Sequence, residues 1–191
     1  MIEKLYLVII LILFISAFVI KNIKTYLSTK QPIGGNSKKI KITFSLSTII
    51  YILILSRLSF LDPKWILEID SSNYVIKGIG LILVTIGFII GILAFITMKN
   101  SWRIAIKYDQ ETELITNGIF RISRNPYFLS YDILFLGYIF YFPSIVLIIL
   151  YLFLIIMFHF IILEEEKFLE SKHEKLYLTY KNKVNRYLTL K

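Results

Sequence analysis

Two short stretches hold most of the residues able to do chemistry. The first is Gly118-Ile119-Phe120-Arg121-Ile122-Ser123-Arg124-Asn125-Pro126-Tyr127, placed directly before a long apolar run. Pro126 suits a first helical turn, where its missing N–H is not needed. The helix it opens would present free N–H groups and a positive dipole end to an anion. Arg124 beside it has the fork geometry to grip a carboxylate with two bonds. The plain alternative is that Arg121 and Arg124 only reach toward lipid headgroups with their charged ends. The second stretch is Glu164-Glu165-Glu166, where an apolar run gives way to polar chain. Successive helical residues point about 100° apart, so at least one of these carboxylates faces inward, toward Arg124. It would bind an ammonium or sulfonium, or pair with an arginine; the alternative is a solvated helix paired with Lys167 and its neighbours. His159, shortly before this stretch among apolar residues, reads as a hydrogen-bonded core histidine rather than a catalytic one.

Composition narrows the chemistry further. The 191 residues include no cysteine, which excludes disulfides, thiolate nucleophiles and Cys-ligated metals, and two histidines alone do not make a metal site. The net charge of +9 comes from basic residues beside apolar runs, which fits membrane topology and anionic headgroups rather than nucleic acid.

The elements that must position these residues are membrane helices. Hydrophobic residues make up 57% of the chain, charged ones only 18%, and the mean hydropathy is +0.70. The apolar residues fall in long runs, as a bilayer requires. The runs predict an all-α membrane protein with about five transmembrane helices: 5–20, 42–61, 74–98, 128–141 and 145–163. The last two form a C-terminal helical hairpin broken at Pro143-Ser144, and the helix over 128–141 is short for a full span. Gly87-x-x-x-Gly91 in the third run allows close approach of another helix. Arg57 and Asp132 are polar exceptions within the runs, and a buried pair between them is one expectation. From Glu164 onward, Leu169, Leu176, Tyr180 and Val184 mark one apolar stripe, predicting a separate amphipathic C-terminal helix on the membrane surface or capping the bundle.

Charge sets the expected orientation. Residues 21–41 carry six lysines and no acid, around a Pro32–Asn36 turn. Residues 62–73 are acidic and hold Trp65 as an interfacial anchor, and the tail after 164 carries seven Lys or Arg. An odd number of spans then puts 21–41, 99–126 and 164–191 in the cytoplasm and the N-terminus outside. The two polar C-terminal segments flank the hairpin and can meet. The chain reads as one membrane domain, 1–191, with three N-terminal spans over 1–98 and a catalytic half over 99–191.

Over about 99–187 the chain resembles the isoprenylcysteine carboxyl methyltransferase and phospholipid methyltransferase superfamily. The resemblance is carried by Ser101-Trp102-Arg103, by Leu114-Ile115-Thr116-Asn117-Gly118-Ile119-Phe120-Arg121-Ile122-Ser123-Arg124-Asn125-Pro126-Tyr127, by Glu165-Glu166-Lys167-Phe168-Leu169, and by Tyr177-Leu178-Thr179-Tyr180 running on to Val184 and Arg186. The family's usual residues are replaced at several points. Asn125 stands for histidine, Ile119 for proline, Phe128 for tyrosine, Ser130 for glycine and His173-Glu174 for Phe-Gly. Asparagine exchanges hydrogen bonds but cannot act as a base.

The resemblance implies an integral membrane methyltransferase that uses S-adenosylmethionine without a dinucleotide-binding βαβ unit. Its acceptor would be lipophilic or prenylated, methylated on a carboxyl, thiol or amine and delivered from the bilayer, with the inner (plasma) membrane as its location. Carried over, Gly118, Phe120, Arg124, Asn125, Pro126, Tyr127, Glu165 and Glu166 line the cofactor pocket. Arg124, Glu166 and Arg186 are the candidate catalytic residues. Two readings compete: a membrane reductase on a related scaffold, and a small polytopic membrane protein without enzymatic activity.

Overall fold

The structure is a computed structural model that describes residues 2–31, 37–59, 69, 73–103 and 113–189, and among these every regular element is helical. In chain order they are α1 (Ile2–Thr29), α2 (Lys38–Leu58), α3 (Tyr74–Met98), α4 (Pro126–Tyr141) and α5 (Ile145–Lys183), with 3-10 turns at Lys99–Ser101 and Gly118–Arg121. Trp65, the acidic loop around it and the Pro32–Asn36 turn lie outside the described residues.

Four of these helices, α1, α2, α3 and α5, are long and apolar enough to cross a membrane. Their outward faces carry large apolar side chains such as Ile12, Ile52, Ile82 and Ile149, each more than half exposed. A surface apolar on its flanks is solvated by lipid, not water. The chain is an all-α integral membrane protein. The expected fifth span is α4, which has sixteen residues where a full crossing takes about 20. It is short because it is enclosed: Tyr131, Leu134, Phe135 and Tyr138 are all buried.

Helix α4 lies against α3 with almost no side chain between them. A Cβ at Gly87 would stand 2.7 Å from the Leu134 backbone nitrogen, and one at Gly137 would stand 2.6 Å from the Val84 nitrogen. Glycine at these positions permits backbone contact that any larger residue would break. Gly91, by contrast, makes room for the Phe14 ring of α1. The α1 helix is tied to α4 by the Tyr138 hydroxyl, which donates to the Leu7 carbonyl at 2.7 Å.

One end of the bundle gathers the polar segments. Lys21 Nζ donates to the Lys99 carbonyl at 2.7 Å, Trp102 Nε1 donates to Asn22 Oδ1 at 2.8 Å, and Lys39 of α2 pairs with Glu164 of α5. At the opposite end the Tyr141 hydroxyl donates to Glu3 Oε2 at 2.7 Å. The described parts of 21–41, 99–126 and 164–189 therefore share one side.

Two expectations change. The amphipathic C-terminal helix is present but starts later than Glu164: Glu164 to Glu170 contains no helix breaker, and the spanning helix runs straight through it. The break comes at Glu174, where φ is +42° and ψ is −117°. It resets the helical phase, so Leu176 is 71% exposed while Tyr177 is 1% exposed and takes its place on the inner stripe. Asp132 does not pair with Arg57: the Arg57 guanidinium lies 5.7 Å from the Phe142 ring centre, ten residues further along, and Asp132 Oδ1 is buried without a hydrogen-bond partner.

Candidate functional site

The segment before α4 is shaped by two residues with restricted backbones. Gly118 has φ +57°, a left-handed conformation open to glycine, and a Cβ there would press on the Thr97 hydroxyl at 3.0 Å. Pro126 occupies the first turn of α4. Between them the chain folds against the end of α5 and the residues that follow. The Arg124 amide donates to the Asn185 carbonyl at 3.0 Å, and the Thr189 amide donates to the Ile122 carbonyl at 2.8 Å. The Tyr180 hydroxyl donates to the Phe120 carbonyl at 2.7 Å, over a small core of Phe120, Tyr177, Tyr180 and Val184.

Glu166 is the centre of this junction. Its Oε1 accepts from Arg124 Nε at 3.1 Å, Arg124 Nη2 at 2.9 Å and Asn125 Nδ2 at 3.2 Å. Its Oε2 accepts from Arg186 Nε at 3.1 Å and Nη2 at 2.9 Å. A carboxylate offers about four lone-pair sites, so Glu166 is saturated. Burial pushes its carboxyl up, but the hydrogen bonds from Arg186 and Arg124 outweigh that and hold it below the usual carboxylate range. The same bond to Glu166 raises Arg186. Arg124 spends its remaining nitrogen on the Lys181 and Val184 carbonyls, at 3.1 and 2.7 Å. Asn125 donates also to the Arg186 carbonyl at 3.2 Å. This is a charged lock joining the start of α4, α5 and the tail.

Beside the lock lies a cavity of about 900 Å³, near the upper end of the roughly 300–1,000 Å³ common for small-molecule sites. Its polar end holds Arg103, Glu113, Arg124, Asn125, Glu165 and Glu166. Its longer wall is apolar, from Ile15 and Phe18 of α1, Phe44 and Ile52 of α2, Phe128 of α4, and Phe158 and Ile161 of α5. Tyr127 stands between the two ends. Its ring meets Trp102 edge to face at 4.6 Å between centres, and its hydroxyl donates to the Tyr131 hydroxyl at 3.1 Å.

Glu165, one residue from the saturated Glu166, is different. No described residue hydrogen-bonds to it or pairs with it, and burial pushes its carboxyl up to about 7 even though Arg103 nearby pulls it down. Arg103 is lowered by burial, and its Nη1 is enclosed without a hydrogen-bond partner.

A family model described as phospholipid methyltransferase matches residues 75–175, from the start of α3 to the break in α5. The chain belongs to the phospholipid methyltransferase family. No curated protein matches it significantly. Membership makes it a membrane methyltransferase of the isoprenylcysteine carboxyl methyltransferase and phospholipid methyltransferase group.

Within this family member, the residues singled out by sequence separate into three groups. Phe120, Arg124, Asn125, Pro126, Tyr127, Glu165 and Glu166 all line the cavity. Arg186 reaches the same place through Glu166 without lining it, and Gly118 lies off the cavity against Thr97. His159 lies outside the lining as well, half-buried rather than in the core, with its Nδ1 2.6 Å from the Tyr187 hydroxyl. Sequence reasoning passed over Tyr51 and Tyr131, whose rings lie 6.4 Å apart in the cavity wall. Neither is marked by its neighbours in an aromatic-rich chain. It passed over Arg103 too, which a lone arginine after Trp102 at the end of a span could have signalled.

Proposed function

We propose that this chain is an S-adenosylmethionine-dependent methyltransferase acting on a lipophilic acceptor held in the bilayer. One observation carries the reading: a single cavity has charged, unsaturated groups at one end and a long apolar wall along the rest. The buried Arg103 Nη1 and the unpaired Glu165 suit a small zwitterionic cofactor, and the wall between α1, α2 and α5 suits a hydrocarbon chain. Bound there, S-adenosylmethionine would supply a methyl group on a sulfonium, open to in-line displacement.

The chain's own task is alignment and exclusion of water. Trp102, Phe120 and Tyr127 offer aromatic faces at the junction of the two ends, which favour a cationic sulfonium. Arg124, Asn125, Glu166 and Arg186 act in this reading as positioning residues, because their hydrogen bonds are spent on one another. The lock keeps Pro126 and Tyr127 at the cavity. Toward a carboxylate or thiolate acceptor, already anionic, no side chain here needs to serve as a strong base, consistent with Asn125 in the histidine position. The lysine-rich end that carries the site would face the cytoplasm, with the N-terminus outside.

Calorimetry with S-adenosylhomocysteine on the detergent-purified protein tests the cofactor half. Saturable binding is expected, and none at millimolar ligand would remove the proposal. Transfer of a labelled methyl group from S-adenosylmethionine into a membrane lipid extract tests the other half. Label confined to water-soluble products would overturn the lipophilic acceptor.

A further inference from the structure

The wall that α2 gives the cavity is not uniformly apolar. Of the four spanning helices α2 is the least apolar. Thr43, Ser47 and Tyr51 follow one another at four-residue intervals along its cavity face, a spacing that puts them on one side of the helix. Their hydroxyls differ in what they meet. That of Thr43 turns back to donate to the Lys39 carbonyl at 2.8 Å, and that of Tyr51 is enclosed, beyond the reach of a ligand. Ser47 is 8% exposed, yet its Oγ makes no hydrogen bond among the described residues and is not shut away from the cavity it lines. A hydroxyl held from water without a partner costs about 1–3 kcal/mol. A ligand group in the cavity would supply that partner.

The level of Ser47 in the bundle indicates which ligand group this is. Helices α2 and α4 run in the same direction from the polar end. The Tyr51 ring lies 6.4 Å from that of Tyr131 and 5.2 Å from that of Phe135, and further along the Arg57 guanidinium lies against Phe142. Ser47 is one turn nearer the polar end than Tyr51, as Tyr127 is than Tyr131, so the two are level. Tyr127 marks the passage from the charged groups to the apolar wall. We infer that Ser47 donates a hydrogen bond to an oxygen of the lipid acceptor where its polar head joins the hydrocarbon, and so fixes how deep the acceptor sits. This rests on the functional reading above and adds to it an acceptor-binding residue. It also adds a requirement on the acceptor: an oxygen-bearing link (ester, amide, ether or hydroxyl) at that junction rather than bare hydrocarbon. Helix α2 lies before residues 75–175, the stretch matched to the family, so membership does not supply this contact.

The test follows label transfer from S-adenosylmethionine as a membrane lipid extract is titrated onto the full-length protein in detergent. Ser47→Ala should raise the extract concentration at half-maximal transfer about three- to tenfold, the worth of one hydrogen bond. Its affinity for S-adenosylhomocysteine and its melting temperature should stay at the wild-type values. Ser47→Thr, which keeps the hydroxyl, should return toward wild type. Ser56→Ala, which removes an α2 hydroxyl outside the cavity, should change nothing. An unchanged half-saturation in Ser47→Ala, or a Thr variant no better than the Ala variant, would overturn the inference. So would a parallel loss of S-adenosylhomocysteine binding or of melting temperature, which marks a structural role. An extract stripped of acyl esters by mild alkali separates the sources of the oxygen. Transfer lost with the esters assigns an ester, and transfer kept with the same Ser47 dependence assigns an amide, ether or hydroxyl; transfer kept without that dependence counts against the contact. If the wild type labels no lipid at all, the functional reading itself fails, a result separate from the others.

Discussion

The two sides of the bundle are built on opposite plans. Along the α3–α4 seam, Gly80, Gly87 and Gly137 let backbone meet backbone, and the Glu166 lock ties the polar end of α4 to α5 where the seam borders the cavity. Across from it, α1, α2 and α5 stand around a cavity of about 900 Å³, joined near its rim by an exposed pair, Lys39 and Glu164. The closed side has no room for a ligand and the open side has little else. Where helices lie in lipid, association cannot rely on hiding apolar surface from water. Close contact on one side therefore supplies the cohesion that lets the other side stay hollow.

The sharpest way to break this contrast is at the lock. Glu166→Ala leaves the Arg124 and Arg186 guanidinium groups without their common anion, at a cost of about 3–5 kcal/mol. The expected outcome is loss of a cooperative melting transition in detergent, and a variant melting with the wild type would refute the lock. Next comes the seam. Gly87→Leu must force α3 from Leu134 and should cost about 1–3 kcal/mol. Gly78→Ala is the control, since nothing lies within 4 Å of its Cβ, and it should gain up to about 1 kcal/mol from helix propensity.

On the open side the prediction reverses. Ser47, a cavity-lining residue of α2, can be replaced by Phe with little change in melting temperature. Labelled methyl transfer should fall about tenfold, equivalent to about 1.4 kcal/mol of acceptor binding; unchanged transfer would deny the cavity to the acceptor. A smaller effect concerns pH. Glu165 is pushed up to about 7 by burial, with Arg103 and Glu166 as its charged neighbours. It carries its charge above that value, so S-adenosylhomocysteine should bind more tightly at pH 8 than at pH 6, by less than about tenfold. Titration calorimetry should find that difference removed in Glu165→Gln. The smallest effect is Lys39→Ala, whose exposed pair with Glu164 contributes below about 1 kcal/mol to the melting free energy.

Much of this was legible before any coordinates, for physical reasons. Long apolar runs write the spans directly, and the Gly87-x-x-x-Gly91 spacing announced a tight approach, although only Gly87 meets the α4 backbone while Gly91 accommodates Phe14. The meeting of Arg124 with Glu166 followed from both segments lying on one side of the membrane. Three things were not legible. Gly137 contributes to the seam without a glycine partner at four-residue spacing, so no pattern marks it. The break at Glu174 depends on a backbone angle that glutamate rarely adopts, and it moved the stripe from Leu176 to Tyr177. Consecutive glutamates look alike in sequence, and only the hydrogen bonds around them separate the saturated Glu166 from the open Glu165.

The unbroken first stretch of α5 has a consequence for reach. Glu166 lies 21 residues beyond Ile145 on one helix, about 31 Å at 1.5 Å per residue. The hydrocarbon layer of a bilayer is about 30 Å thick. With α5 near the membrane normal, the lock stands where acyl chains end and headgroups begin. On the proposed reading, a lipid acceptor would not have to be pulled from its leaflet to be methylated at its polar end: entering sideways along the apolar wall of the cavity would bring that end to the level of the charged groups, its tails still among their neighbours.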